Sequence, residues 1–240
     1  MLDLAFELEG FCVVRGPDLL WGGDIKKFHP PSGRFDGVIG GPPCKAFSQL
    51  VNLVRAVRGP DSVAENLIPE YQRVVAEANP EWFLSENVVD APVIEVDGFR
   101  VQHEVLNNRT LGQEQNRKRR FCFGSRLGVA RFSVAGHEFQ LEPPTFENAV
   151  TASGGRRCVA VKLGGSGKVK PRAVSGPGNG RTLRDAIRLQ GLPDDFLSEA
   201  PFTLHGKLAA VGNGVPIPMG RAVARAVKRA LGIETKSEVA

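Results

Sequence analysis

The segment Gly40-Gly41-Pro42-Pro43-Cys44-Lys45-Ala46-Phe47-Ser48 follows the apolar run Phe35-Asp36-Gly37-Val38-Ile39. That run reads as a buried strand, and the glycines and prolines must break it. In open α/β sheets ligands sit beyond the carboxyl ends of strands, so Cys44 stands where a nucleophile is useful. Two prolines stiffen its loop, and the adjacent Lys45 favours the thiolate when it lies close. The plain alternative is a small buried hydrophobe, the common fate of a lone cysteine.

Further along, Glu86-Asn87-Val88 ends a second apolar run, Glu81-Trp82-Phe83-Leu84-Ser85. Gln115-Asn116-Arg117-Lys118-Arg119 places two arginines at alternate positions, which on a strand share one face. The plain reading of these arginines is a basic surface, since Lys118 and Arg120 are also cationic. Residues 151–184 carry eight basic residues, eight glycines and no acid. A solvated flexible loop would look like this, and so would a backbone built to approach phosphates closely.

These parts need a frame. Leu2–Leu8 reads as a short amphipathic helix closed by Gly10, and Phe11–Val14 as a short strand. Ser62–Asn79 reads as a helix closed at Asn79-Pro80, Phe99–Leu106 and Arg119–Phe123 as a pair of strands. Thr182–Gln190 and Met219–Leu231 read as helices. Strands alternating with helices predict an α/β sheet covered on both faces. The 240 residues suffice for one full-sized domain, and the net charge of +5 fits a polyanionic partner. No apolar run is long enough to span a bilayer, and acids stand where a signal peptide needs bases. The four cysteines are scattered, with no Cys/His cluster to hold zinc and no disulfide framework, which fits a reducing cytoplasm.

Taken in order, Pro42-Pro43-Cys44-x-x-Phe47-Ser48, Glu86-Asn87-Val88, Gln115-x-Arg117-x-Arg119, Arg188-Leu189-Gln190-Gly191-Leu192-Pro193 and Gly212-Asn213-Gly214-Val215-Pro216 resemble the C5-cytosine DNA methyltransferases. The resemblance implies a Rossmann-like, S-adenosylmethionine-dependent methyltransferase fold with a small target-recognition region. It implies a catalytic domain over 1–124, a short basic target-recognition region over 125–180, and C-terminal motifs over 181–240 that pack back on the catalytic domain. It makes Cys44 the nucleophile, Glu86 the group at the base's N3, and Arg117 and Arg119 its neighbours at the flipped cytosine. It assigns the cofactor to Asp24, Ile25, Pro43 and Asn213, with Asp18 near the family's ribose-binding acid. DNA contacts fall to Ser48, Arg156, Arg157, Lys168, Lys170 and Arg172, and no metal is expected. The partner implied is double-stranded DNA, in a bacterial or phage-infected cell. The chain opens at Met1-Leu2-Asp3-Leu4, which resembles the helix that comes after the family's first strand and Phe-x-Gly-x-Gly-Gly loop. Three readings stay open: an enzyme whose true start lies upstream, one part of a split methyltransferase whose second chain supplies that segment, and a degenerate relative that still binds DNA.

Overall fold

The computed structural model describes residues 1–17, 23–43, 47, 65–126, 128–143, 146–151, 158–162, 169–173 and 181–233. The chain divides into two compact units. One comprises Met1–Phe11, Asn107–Arg117 and Val134–Ala224, the other Cys12–Leu106, Lys118–Ser133 and Arg225–Ala240.

The second unit is built on a four-stranded sheet. Its strands are β1 (Gly37–Gly40), β2 (Trp82–Asn87), β3 (Arg100–Asn107) and, later in the chain, β5 (Lys118–Ser125), in the order β1-β2-β5-β3. β1 and β2 run parallel, with Gly37 opposite Trp82 and Gly40 opposite Ser85. β2 and β5 run antiparallel, with Glu86 opposite Phe121. β2 is buried along its length except at Glu86, as a central strand covered on both faces should be. Gly37 has to be glycine, because a Cβ there would lie 2.1 Å from the Trp82 ring.

Helix α2 (Ile68–Ala78) lays Tyr71 and Val75 against Phe83, Ile94 and Val96. The Tyr71 hydroxyl donates to the Leu84 carbonyl at 2.9 Å. Asn79 caps the helix in the left-handed region (φ 50°) immediately before Pro80, where a helix must stop. The helix does not extend over the whole of the predicted span from Ser62. Residues 65–67 are not helical, and Pro69 sits in the first turn, where proline starts helices. The expected strand at Phe11–Val14 is irregular chain.

The first unit carries α1 (Leu2–Leu8), the two-residue strands β4 (Gln115–Asn116) and β6 (Glu147–Asn148), and the helices α3 (Leu183–Leu189) and α4 (Leu204–Asn213). Helix α5 (Ile217–Leu231) also begins there. Ala5, Val150, Ala186, Ile187, Leu189, Leu192, Val211 and Ile217 form its core. Thr182 and Asp185 make a reciprocal capping box at the start of α3, satisfying donors that a helix leaves open. The basic region contains an antiparallel hairpin, β7 (Cys158–Lys162) with β8 (Val169–Ala173), where a loop was expected. Among the described residues no helix is long and apolar enough to cross a membrane.

Candidate active site

Because β1 and β2 are parallel and in register at Gly40 and Ser85, the residues that follow this last shared pair lie at the same carboxyl edge. These are Gly41-Pro42-Pro43 on one side and Glu86-Asn87 on the other. The Asn87 amide donates to the Pro42 carbonyl at 3.2 Å, and Pro42 is buried. Asn87 also accepts from the Val88 amide at 2.8 Å, so its two side-chain ends fix two turns at once. Gly41 lies against Glu86: a Cβ there would stand 3.2 Å from Oε2. The loop leading to Cys44 is thus held beside the Glu86 carboxylate.

Glu86 is oriented from the opposite strand. Phe121 lies directly across from it in β5, which makes Arg119 its diagonal neighbour on the same face. Arg119 Nε lies 2.7 Å from Glu86 Oε1, and the two side chains are 15% and 12% exposed. A nearly enclosed pair of this kind is directional, and removing one partner leaves a poorly solvated charge. Oε2 is the oxygen on the Gly41 side.

Asp24 is an N-cap. Its side chain accepts the Lys26 amide at 3.0 Å and starts a single 3-10 turn, Ile25–Lys27. Arg73 on α2 grips that turn, donating to the Ile25 carbonyl at 2.6 Å and the Phe28 carbonyl at 3.0 Å. The carboxylates of Glu70 and then Glu77 hold the Arg73 guanidinium above its ordinary pKa. Sequence reasoning missed Arg73, whose only local signal is its i,i+3 and i,i+4 spacing from these acids.

In the other compact unit, Arg117 is 1% exposed. It precedes β5, so the alternate-residue argument that put it on one face with Arg119 does not apply. Nη1 donates to the Val150 carbonyl at 2.8 Å, and Nη2 to those of Gly212 at 3.0 Å and Gly214 at 2.9 Å. A guanidinium committed to three backbone carbonyls suits a positioning role better than contact with a base. Asn213, between the two glycines, is exposed at the end of α4. Gln115 and Gln190 are fully buried in the same unit. In the sequence they stand out only as parts of motifs.

Cys44, Ser48, Asp18, Arg156, Arg157 and Lys168 lie outside the described residues. Lys170 and Arg172 fall at alternate positions of β8, opposite Val161 and Val159.

The family model described as C-5 cytosine-specific DNA methylase matches residues 22–91, which hold β1, β2, Asp24, Pro43 and Glu86. The type II methyltransferase M.MthTI of Methanothermobacter thermautotrophicus is 24% identical over 96% of this chain and 94% of its own length. Over residues 22–91 the chain is similar to the C-5 cytosine-specific DNA methylases. Another such relative, M.NgoPII of Neisseria gonorrhoeae, is 29% identical over 52% of this chain, a match that spans only 45% of that protein. The chain also shares its fold with the Entamoeba histolytica methyltransferase EhMeth, with a TM-score of 0.53 at 9% identity over 82% of this chain and 78% of that one. The fold is the Rossmann-like methyltransferase fold.

Proposed function

We propose that this chain is a DNA (cytosine-5-)-methyltransferase, acting on a cytosine flipped out of double-stranded DNA. The observation that carries the proposal is the fixing of the Gly41–Pro43 loop beside an arginine-paired Glu86, at the carboxyl ends of two parallel strands. That loop leads directly into Cys44.

C5 of cytosine is a poor nucleophile until something adds to C6. The Cys44 thiolate forms a bond to C6, and the ring's electron pair moves toward N3. Glu86, held by Arg119 and carrying a proton taken up from solvent, donates that proton or a hydrogen bond at N3, where that charge gathers. C5 becomes nucleophilic and is alkylated. It then gives its proton to a solvent water, the C6–S bond breaks with its electron pair on sulfur, N3 returns its proton to Glu86, and the thiolate is released.

S-adenosylmethionine, when bound, supplies the electrophilic methyl group. The residues present suit it. Asp24 spends one side-chain oxygen on its cap and keeps a second acceptor for an amino group, and Asn213 presents an exposed amide. We assign the cofactor to Asp24, Ile25, Pro43 and Asn213. Unstacking the target base costs a few kcal/mol, which the basic residues Arg156, Arg157, Lys168, Lys170 and Arg172 offset through phosphate contacts, with Ser48 as a further DNA contact.

The test is a duplex carrying 5-fluorocytosine, incubated with the protein and S-adenosylmethionine. Fluorine cannot leave C5 as a proton does, so the C6–S bond persists. A denaturation-resistant complex that disappears in Cys44→Ser is the expected result. A complex that survives this substitution overturns the choice of nucleophile. Duplex binding with no complex in the wild type favours a DNA-binding module instead.

A further inference from the structure

The last carbonyls of an α-helix have no partner within it. Many helices solve this with a left-handed glycine just past the end. Helix α4 does not, although a glycine stands in that place: Gly214 is extended (φ −75°, ψ 163°), and its amide reaches only the Val211 carbonyl. Side chains distant in sequence take over. Gln190 donates to the Val211 carbonyl at 2.6 Å and the Gly214 carbonyl at 3.2 Å. Arg117 donates to the carbonyls of Gly212 and Gly214 and ties them to that of Val150. Gln115 completes the set. Its amide donates to Gln190 Oε1 at 3.1 Å and the Leu189 carbonyl at 2.7 Å, while its oxygen accepts the Val150 amide at 3.1 Å.

All three side chains are essentially inaccessible to solvent. Burying a guanidinium is costly unless its donors are satisfied. The negative end of a helix dipole is a favourable place for it, yet a left-handed glycine would have capped the helix without a buried charge. The arrangement fixes the carbonyls on both sides of Asn213 and leaves that residue exposed.

We infer that Gln115, Arg117 and Gln190 form a buried side-chain cap whose task is to position Asn213 for the cofactor, which makes Arg117 a positioning residue. This rests on the reading of Asn213 as a cofactor contact. Lysine at 117 keeps the charge but not the fork, and methionine at 190 keeps the bulk but not the donors.

The experiment compares the wild type with Arg117→Lys and Gln190→Met by amide hydrogen exchange, calorimetry with S-adenosylmethionine, and steady-state kinetics. Exchange at Gly212–Val215 should rise about tenfold, the effect of losing a hydrogen bond, with β2 and β5 unchanged. Affinity and KM for S-adenosylmethionine should weaken in step while kcat holds. Gln190→Met is nearly isosteric and serves where Arg117→Lys fails to fold. Unchanged exchange overturns the cap. A fall in kcat with unchanged affinity also overturns it, because Arg117 would then act on the base. Faster exchange with unchanged affinity rejects the cofactor reading of Asn213 and removes the cap's functional purpose.

Discussion

Arg119 reaches Glu86 diagonally across the β2–β5 pair, its Nε 2.7 Å from Oε1. The carboxylate is therefore aimed before any base arrives, one oxygen held by the guanidinium and the other on the side of the loop that leads to Cys44.

Glu86→Gln should lower methyl transfer by about 10²–10⁴-fold, the usual cost of losing a proton-transfer group, with duplex affinity nearly unchanged. Arg119→Met should lower it as well, and the double variant should fall short of the product of the two, as expected of groups acting as a unit. Single-turnover rates beside filter-binding affinities measure this. Strict multiplicativity of the two effects means the pair does not work together.

Neutralising Lys170 and Arg172 together, as glutamines, should make the dependence of log K on log salt shallower by about 0.9 for each phosphate left without its cation. Duplex binding titrated across a range of salt gives the slope. A lower affinity with an unchanged slope shows that these residues read bases or support the hairpin.

Alkaline conditions should destabilise the sheet through Tyr71. Burial, with the Cys122 thiol as a lesser cause, pushes its phenol well above the ordinary value. The folded chain thus keeps a proton that the unfolded chain releases. The stabilisation is fully present below pH about 10 and is lost as pH rises beyond it, because only the unfolded state gains by ionising. Denaturant melts at several alkaline pH values should show a falling stability whose slope is smaller in Tyr71→Phe. Some slope should persist in that variant, since burial also raises Cys122.

Gly37→Ala should destabilise the protein by about 1–3 kcal/mol, the range for overpacking a tight site. The new methyl would fall 2.1 Å from the Trp82 ring in the adjacent strand. A chemical-denaturation midpoint equal to that of the wild type would mean the indole moves aside freely.

The parts legible in the sequence are those where one local rule decides. The apolar run that ends at Glu86-Asn87 could only be a covered strand, and the glycines and prolines after Ile39 could only end β1. The α3 boundaries follow from Thr182 and the Gly191 turn. Helix α4 escaped because Gly206 and Gly212 blur its pattern and its cap comes from residues far away in sequence. Phe11–Val14 has strand composition, but a strand needs a partner, and composition does not supply one. Of the two arginines, Arg119 lies in β5 on the face of Glu86, where strand alternation governs. Arg117 lies outside that strand, and its side chain is decided by carbonyls 33, 95 and 97 residues away.

Gly41 sets a boundary on how this chain can drift. A methyl group at that position would stand 3.2 Å from Glu86 Oε2, closer than comfortable contact, and the carboxylate would have to turn or retreat. A single-nucleotide change from glycine to alanine or serine would therefore blunt the proposed chemistry while leaving Cys44, Glu86 and Arg119 all in place. Surveys that infer competence from the presence of those three residues alone would count such a variant as intact.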